Sequence, residues 1–175
     1  MKTITTINEL TQVLKERKAD ESYLGIMKRV AINPREYEKY FTWDDAHYTR
    51  NCLIKTAEFE LLLICYEKAQ QTPIHDFDTQ DAWVHTIVGK LKEERFRLNP
   101  GGAGLEKVGS VTIGPTEFSY ISGYAGMHRF INTYESRSVS LNLYARPVEK
   151  WKEHDFATGE VTEKAVSHDT IYVLP

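Results

Sequence analysis

The stretch Thr72–Leu98, TPIHDFDTQDAWVHTIVGKLKEERFRL, decides the fold. It contains two short candidate strands on either side of Gly89: Ala82 to Val88 (AWVHTIV), rich in β-branched and aromatic residues, and Leu91 to Leu98 (LKEERFRL), in which Phe96 and Leu98 alternate with Arg95 and Arg97. A repeat of two is the signature of a strand with one face buried, since successive side chains point to opposite sides. Working outward, the same pattern recurs at Cys52 to Lys55, Phe59 to Tyr66, Gly109 to Ile113, Glu117 to Ile121, His128 to Tyr134, Val139 to Arg146 and Thr170 to Val173. About nine short strands bounded by Gly, Pro, Asn and Asp indicate a sandwich or barrel. The first forty residues differ. Leu10, Val13 and Leu14, then Leu24, Met27 and Ala31, recur at helical spacing, and Asn33-Pro34 opens a third short helix. The chain therefore reads as an all-β body over 46–175 with an N-terminal helical cap over 1–45, in one domain.

Composition narrows the function. The 175 residues carry 22 Lys+Arg and 25 Asp+Glu, a net charge of -3, which offers no basic field for nucleic acid or an anionic membrane. Two cysteines, Cys52 and Cys65, are too few for a disulfide framework. The opening MKTITTINELTQVLKER has no apolar secretion core, so a reducing cytoplasm is the expected setting. The longest apolar run, Leu61–Cys65, is far short of the roughly 20 residues needed to cross a bilayer. The glycine-rich segment NPGGAGLEKVG, Asn99–Gly109, lacks the Gly-Lys-Ser/Thr ending of a phosphate loop and reads as a connection between strands. Oligomeric state leaves no mark on the sequence.

Histidine carries the chemical signal, because imidazole is the commonest protein ligand for iron, copper, nickel and zinc. Of six histidines, two have distinctive settings. His75 starts a β region with Asp76 and Asp78 beside it, and His128 follows a small-residue turn in GYAGMHRFINTY, with Asn132 four positions on. They stand 53 positions apart, so a shared site requires strands brought together by a closed sheet. His47, His85, His154 and His168 read as solvated or structural, and Cys52 and Cys65 as small apolar core residues.

These stretches together resemble the cysteine dioxygenase branch of the cupin superfamily. The resemblance runs from about Tyr48 to Pro147. It rests on Tyr-Thr-Arg-Asn at Tyr48–Asn51, the Phe59–Tyr66 strand, His75-Asp76 with the closing Gly89, Gly126-x-His128-x-x-x-Asn132, and Val-Ser-Leu-x-Leu-Tyr ending at Tyr144. It implies a cupin-type small β-barrel, or jelly roll, holding mononuclear non-haem Fe(II) and oxidising a small thiol to its sulfinic acid with O₂. Three protein ligands on one face of an iron leave adjacent positions for thiolate and O₂. His75 and His128 match the metal ligands, and Arg50 matches the clamp on the substrate carboxylate, a task suited to the planar guanidinium fork. Tyr144 matches a phenol beside the bound oxygen or sulfur. Tyr48 and Phe59 join Arg50 and Tyr144 in the substrate pocket, and Ser140 and Asn142 support Tyr144.

The pattern is broken at one ligand. The family's first motif is His-x-His, and Phe77 occupies the second position. A benzyl group cannot coordinate a cation. Either a one-residue β-bulge turns Asp78 inward to complete a two-His-one-carboxylate set, or a two-His site is completed by water or by nothing, or the motif register differs or an unforeseen ligand serves. Fe(II), another divalent ion or no ion are each compatible with that substitution. Some members carry a cysteine able to crosslink to the tyrosine where Ala82 stands here, and the family histidine between serine and tyrosine is here Asn142. The alternatives to the dioxygenase are a catalytically silent cupin that binds a small carboxylate, and a metal-dependent oxygenase or isomerase acting on a non-thiol substrate.

Overall fold

A computed structural model describes residues 2–76, 81–121, 126–172 and 174. The cap comprises α1 (Ile7–Lys15), α2 (Tyr23–Met27) and a 3₁₀ helix at Pro34–Tyr40. The Thr6 hydroxyl accepts from the Glu9 amide at 3.1 Å and starts α1; Ser22 and Asn33 cap the other two helices in the same way. One stripe of α1, Ile7, Leu10 and Leu14, is buried.

Twelve strands follow among the described residues: β1 Thr49–Lys55, β2 Phe59–Tyr66, β3 His75–Asp76, β4 Asp81–Val88, β5 Leu91–Leu98, β6 Leu105–Ile113, β7 Phe118–Ile121, β8 Met127–Asn132, β9 Ser138–Ala145, β10 Lys150–His154, β11 Val161–Ala165 and β12 Thr170–Ile171. They form two six-stranded sheets, in the orders β12-β1-β2-β9-β4-β7 and β11-β10-β3-β8-β5-β6. This is the cupin jelly roll. The expected small barrel takes the form of two facing sheets, and among the described residues their ladders do not join into one ring. The β10–β11 hairpin and the two-residue β3 go beyond the nine strands that the sequence pattern indicates. β11 is exposed along its whole length, so its sequence carries no alternation of burial to read.

The apolar residues sort into two main layers. Odd positions of β2, namely Phe59, Leu61, Leu63 and Cys65, pack with Val139, Leu141 and Leu143 of β9 against the helical cap. Even positions, Leu62, Ile64 and Tyr66, pack with Val84 of the same sheet and with Phe130 and Trp151 of the second sheet in the layer between the two. Strand β2 is thus buried on both sides, which explains its unbroken run FELLLICY. Strand β9 alternates in the opposite sense to an ordinary strand: its apolar residues lie under the cap, while Ser140, Asn142 and Tyr144 face the interior between the sheets. Polar residues aimed into a core need partners, and that inversion marks the interior as more than packing.

Two glycines of the quoted motifs have clear causes. Gly89 has φ 75°, and a Cβ there would meet the Ser138 Oγ at 2.1 Å. Gly126 has φ 83° at the entry to β8, a conformation that costs little only without a side chain. The segment around Gly101 is the turn between β5 and β6, closed by Asn99 N–H to Gly104 O at 3.1 Å, as expected of a β connection.

Candidate metal and substrate site

His75 on β3 and His128 on β8 are direct antiparallel partners, and their ring centroids stand 4.5 Å apart. They meet as neighbours within a single sheet, so the closed sheet expected for their convergence is not required. Each is only 3% exposed. The Pro73 carbonyl lies 2.9 Å from His75 Nδ1; a ring donating from that nitrogen carries its lone pair on Nε2, the tautomer that ligation through Nε2 requires. Burial, then the neighbouring His128, hold the His75 imidazole well below its ordinary range. Burial holds His128 down to about 4, against a backbone hydrogen bond to Gly126 that raises it. Both rings are therefore neutral near pH 7, as ligation demands.

The pair lines a narrow cavity of about 10 Å³ between the sheets, shared with Arg50, Tyr66, Asn142, Tyr144 and Trp151. That space takes about one water-sized group, so an amino-acid thiol requires the lining side chains to part. Arg50 is buried, 6% exposed, and is no surface partner of Asp44 or Asp45. Its Nε donates to the Ser167 carbonyl at 3.1 Å, its guanidinium sits 5.3 Å from the Trp151 ring centroid, and its Nη2 is buried without a hydrogen bond. A buried N–H of a cation left bare is costly. Its place at the cavity fits an anionic oxygen there.

Tyr144 is buried in the same lining. Burial raises its phenol, while the charge of Arg50 and a hydrogen bond with that guanidinium pull it down. Ser140 is hydrogen-bonded to Tyr66, and Asn142 Nδ2 donates to Ser140 Oγ at 3.0 Å. Tyr48 stacks on Tyr66 at 5.5 Å and sits at the edge of this interior layer.

Phe59 is a correction. It belongs to the layer under the helical cap, 6.3 Å from the Tyr23 ring, on the face of β2 turned away from the cavity. The parity of β2 explains it: Phe59 shares a face with Leu61 and Leu63, whereas the cavity takes Ile64 and Tyr66. Phe77 and Asp78, on which the third ligand turns, lie outside the described residues. Among the described residues no third carboxylate, thiol or imidazole joins the His75–His128 pair at ligand spacing.

Three lining residues escape the sequence argument. Trp151 packs its ring 4.6 Å from His75 and comes from the charge-rich β10, where a lone Trp among Lys and Glu was the available signal. Tyr66 reads as core from its apolar strand. Thr72 donates no pattern at all, yet its Oγ1 accepts from the Phe130 amide at 3.0 Å and ties the entry of β3 to β8.

The described residues fit two of three protein ligands, neutral imidazoles side by side, with a cation facing the same cavity. The comparisons agree with this architecture. The model of the family described as cysteine dioxygenase type I matches residues 1–157. Similar relatives are the cysteine dioxygenase type 1 of Danio rerio, 27% identical over 146 residues (79% of this chain, 71% of the relative), and that of Rattus norvegicus, 26% identical over 162 residues (88% and 81%). Among solved structures, a conserved Klebsiella pneumoniae protein with a double-stranded β-helix domain aligns with TM-score 0.52 and 9% identity, over 74% of this chain and 94% of its own, a likeness of fold alone. No helix among the described residues is long and apolar enough to cross a membrane. With the match extending across nearly the whole jelly roll, the chain belongs to the cysteine dioxygenase type I family, enzymes of the dioxygenase class built on the cupin fold.

Proposed function

We propose that this protein oxidises cysteine, or a similarly small carboxylate-bearing thiol, to its sulfinic acid with O₂, using iron held by His75 and His128. The observation that carries this reading is the buried Arg50 Nη2, unpartnered at the cavity that the two imidazoles share. A guanidinium there binds a carboxylate through charge-assisted hydrogen bonds and fixes which end of the substrate faces the histidines. Iron, when bound, supplies the spin-allowed reduction of O₂ that a thiol alone does not undergo readily. In the overall reaction both oxygen atoms end on sulfur, which gives up four electrons, and the sulfinic acid retains the proton of the thiol.

The chain's own residues orient and enclose. Arg50 holds the carboxylate, and the Trp151 face beside it leaves the guanidinium its in-plane donors. Tyr144, already hydrogen-bonded to Arg50, presents a neutral phenol whose O–H donates to an anionic sulfur or oxygen without adding charge. Ile64, Val84 and Phe130 exclude water, which strengthens each of these contacts. Two buried free thiols, Cys52 and Cys65, suit a reducing, cytoplasmic setting.

Anaerobic Fe(II) titration with metal analysis, followed by O₂ uptake with cysteine, tests the reading. Near-stoichiometric iron and cysteine-dependent uptake are expected. Phe77 favours a second reading, in which the cavity binds a small carboxylate without turnover; absence of retained metal and of uptake selects it. Uptake with an organic acid but not with thiols selects a non-thiol oxygenase.

A further inference from the structure

Cys52 on β1, Glu60 on β2 and His168 just before β12 bring a thiol, a carboxylate and an imidazole within 4.8 Å of one another. None of the three lines the His75–His128 cavity. Glu60 is 0% exposed; one oxygen, Oε1, lies 2.6 Å from His168 Nε2, and the other, Oε2, is buried with no hydrogen bond. Cys52 is 1% exposed. A carboxylate in an apolar interior with one bare oxygen is an expensive arrangement, and it becomes favourable only when the charge is matched.

We propose that Cys52, Glu60 and His168 form a second buried cation site, selective for a borderline-soft divalent ion of the zinc type and separate from the imidazole pair. A dication with one thiolate and one carboxylate sums to zero charge, so the cluster becomes neutral where the surroundings are least polar. One sulfur, one nitrogen and one oxygen donor, with a fourth position for water, make the tetrahedral set that such an ion takes readily. On binding, the Cys52 S–H bond breaks and its proton goes to solvent. The hydrogen bond between His168 Nε2 and Glu60 Oε1 opens, its proton passing to His168 Nδ1 or to solvent, so that the Nε2 lone pair and the carboxylate both face the ion, and no electrons change hands. Burial pushes the free Cys52 thiol up to about 11, so its deprotonation is driven by the ion.

The site would also steady the substrate clamp. His168 lies between Ser167, whose carbonyl accepts from Arg50 Nε, and Asp169, whose carboxylate accepts from the Arg50 amide at 2.8 Å. An ion joining β1, β2 and this segment fixes the backbone on which Arg50 rests.

Cobalt(II) is the probe, because a thiolate bound to it absorbs in the near ultraviolet. It is titrated anaerobically into the full chain carrying His75→Ala and His128→Ala, and in parallel into the wild-type chain. The expected result is a thiolate–cobalt absorption that saturates at one equivalent, disappears on addition of zinc, falls at least tenfold in Cys52→Ser and survives in Cys65→Ser. His168→Asn weakens cobalt at least tenfold. Should the double variant fail to fold, the Cys52→Ser and Cys65→Ser comparison in the wild-type background decides alone. Absence of the absorption, its persistence in Cys52→Ser, or its equal loss in Cys65→Ser overturns the site.

Discussion

Ala82 lies directly across from Tyr144 in the β4–β9 ladder, and both are buried in the layer between the sheets. Directly opposed residues place their Cβ atoms about 5 Å apart on one face, within reach of a thiol at position 82. The methyl of Ala82 leaves Tyr144 an unmodified phenol. In Ala82→Cys, iron-loaded protein turning over with cysteine and O₂ should form a sulfur–carbon bond to the Tyr144 ring. Peptide mass spectrometry should then find the crosslinked pair lighter by two hydrogen atoms, one lost from sulfur and one from the ring. Unlinked peptides after exhaustive turnover would count against the assigned geometry.

Arg50→Gln removes the cation from the cavity while keeping a hydrogen-bonding side chain. A hydrogen bond to a charged group contributes about 1.5–3 kcal/mol, on the order of a 10- to 100-fold change. The KM for cysteine should rise by that factor, whereas any residual oxidation of a thiol lacking a carboxylate should change little. Equal losses for both thiols would show that Arg50 acts on the fold and not on the carboxylate.

Phe77→His restores an imidazole to the first histidine motif. Iron occupancy after anaerobic loading and the rate of thiol oxidation should rise together. Metal binding identical to that of the wild-type chain would mean that residue 77 does not face the cavity.

Asn132 is a knot in the interior. Its Nδ2 donates to the carbonyls of Tyr66, Glu67 and Ser136, and its Oδ1 accepts from the Tyr134 amide and the Ser138 hydroxyl. Truncation in Asn132→Ala leaves several buried polar groups bare, each costing about 1–3 kcal/mol. Partial relaxation makes a net loss of roughly 3 kcal/mol the expected value, read as a lower urea midpoint with an unchanged slope. A shift under about 0.5 kcal/mol, the scale of an ordinary surface substitution, would refute the assignment.

Acid should unfold the metal-free protein through its buried imidazoles. His75 and His128 are depressed in the folded state, so the unfolded chain takes up protons first as pH falls below about 6.5. Stability is full above that pH and declines as it drops toward about 4, where His128 protonates in place. His128 alone should account for roughly 3 kcal/mol of this loss, at about 1.4 kcal/mol per pH unit. Urea midpoints of His128→Gln against wild type, from pH 7 to pH 4, measure it; parallel pH profiles would contradict the assignment.

Much of this was legible without coordinates. The limits of β2 follow from an apolar run bounded by turn residues, and His75, His128, Arg50 and Tyr144 stand out through motif spacing. Phe59 misled because its strand is apolar on both faces, so its pattern carries no parity from which to tell cap side from cavity side. Trp151 carries no readable place at the cavity because β10 is rich in Lys and Glu, and the strand reaches the imidazoles only through its pairing with β3, far back along the chain. Cys52 reads as core and His168 as a solvated or structural imidazole, since no local motif joins them to Glu60 across the two strand pairings, β1–β2 and β1–β12, that bring the three together.

By itself the sequence determined the class of fold, the helical cap and the identity of the two imidazoles, because repeats of two and of 3.6 residues and short motif spacings are written locally. Only the tertiary structure decided that the imidazoles are neighbours in one sheet, that the Arg50 guanidinium is buried with an unsatisfied N–H, and that a carboxylate lies sealed beside a thiol. Those outcomes depend on register and burial. Both are set by which strands pair across long stretches of chain, a choice made by the packing of the whole molecule rather than by any one segment.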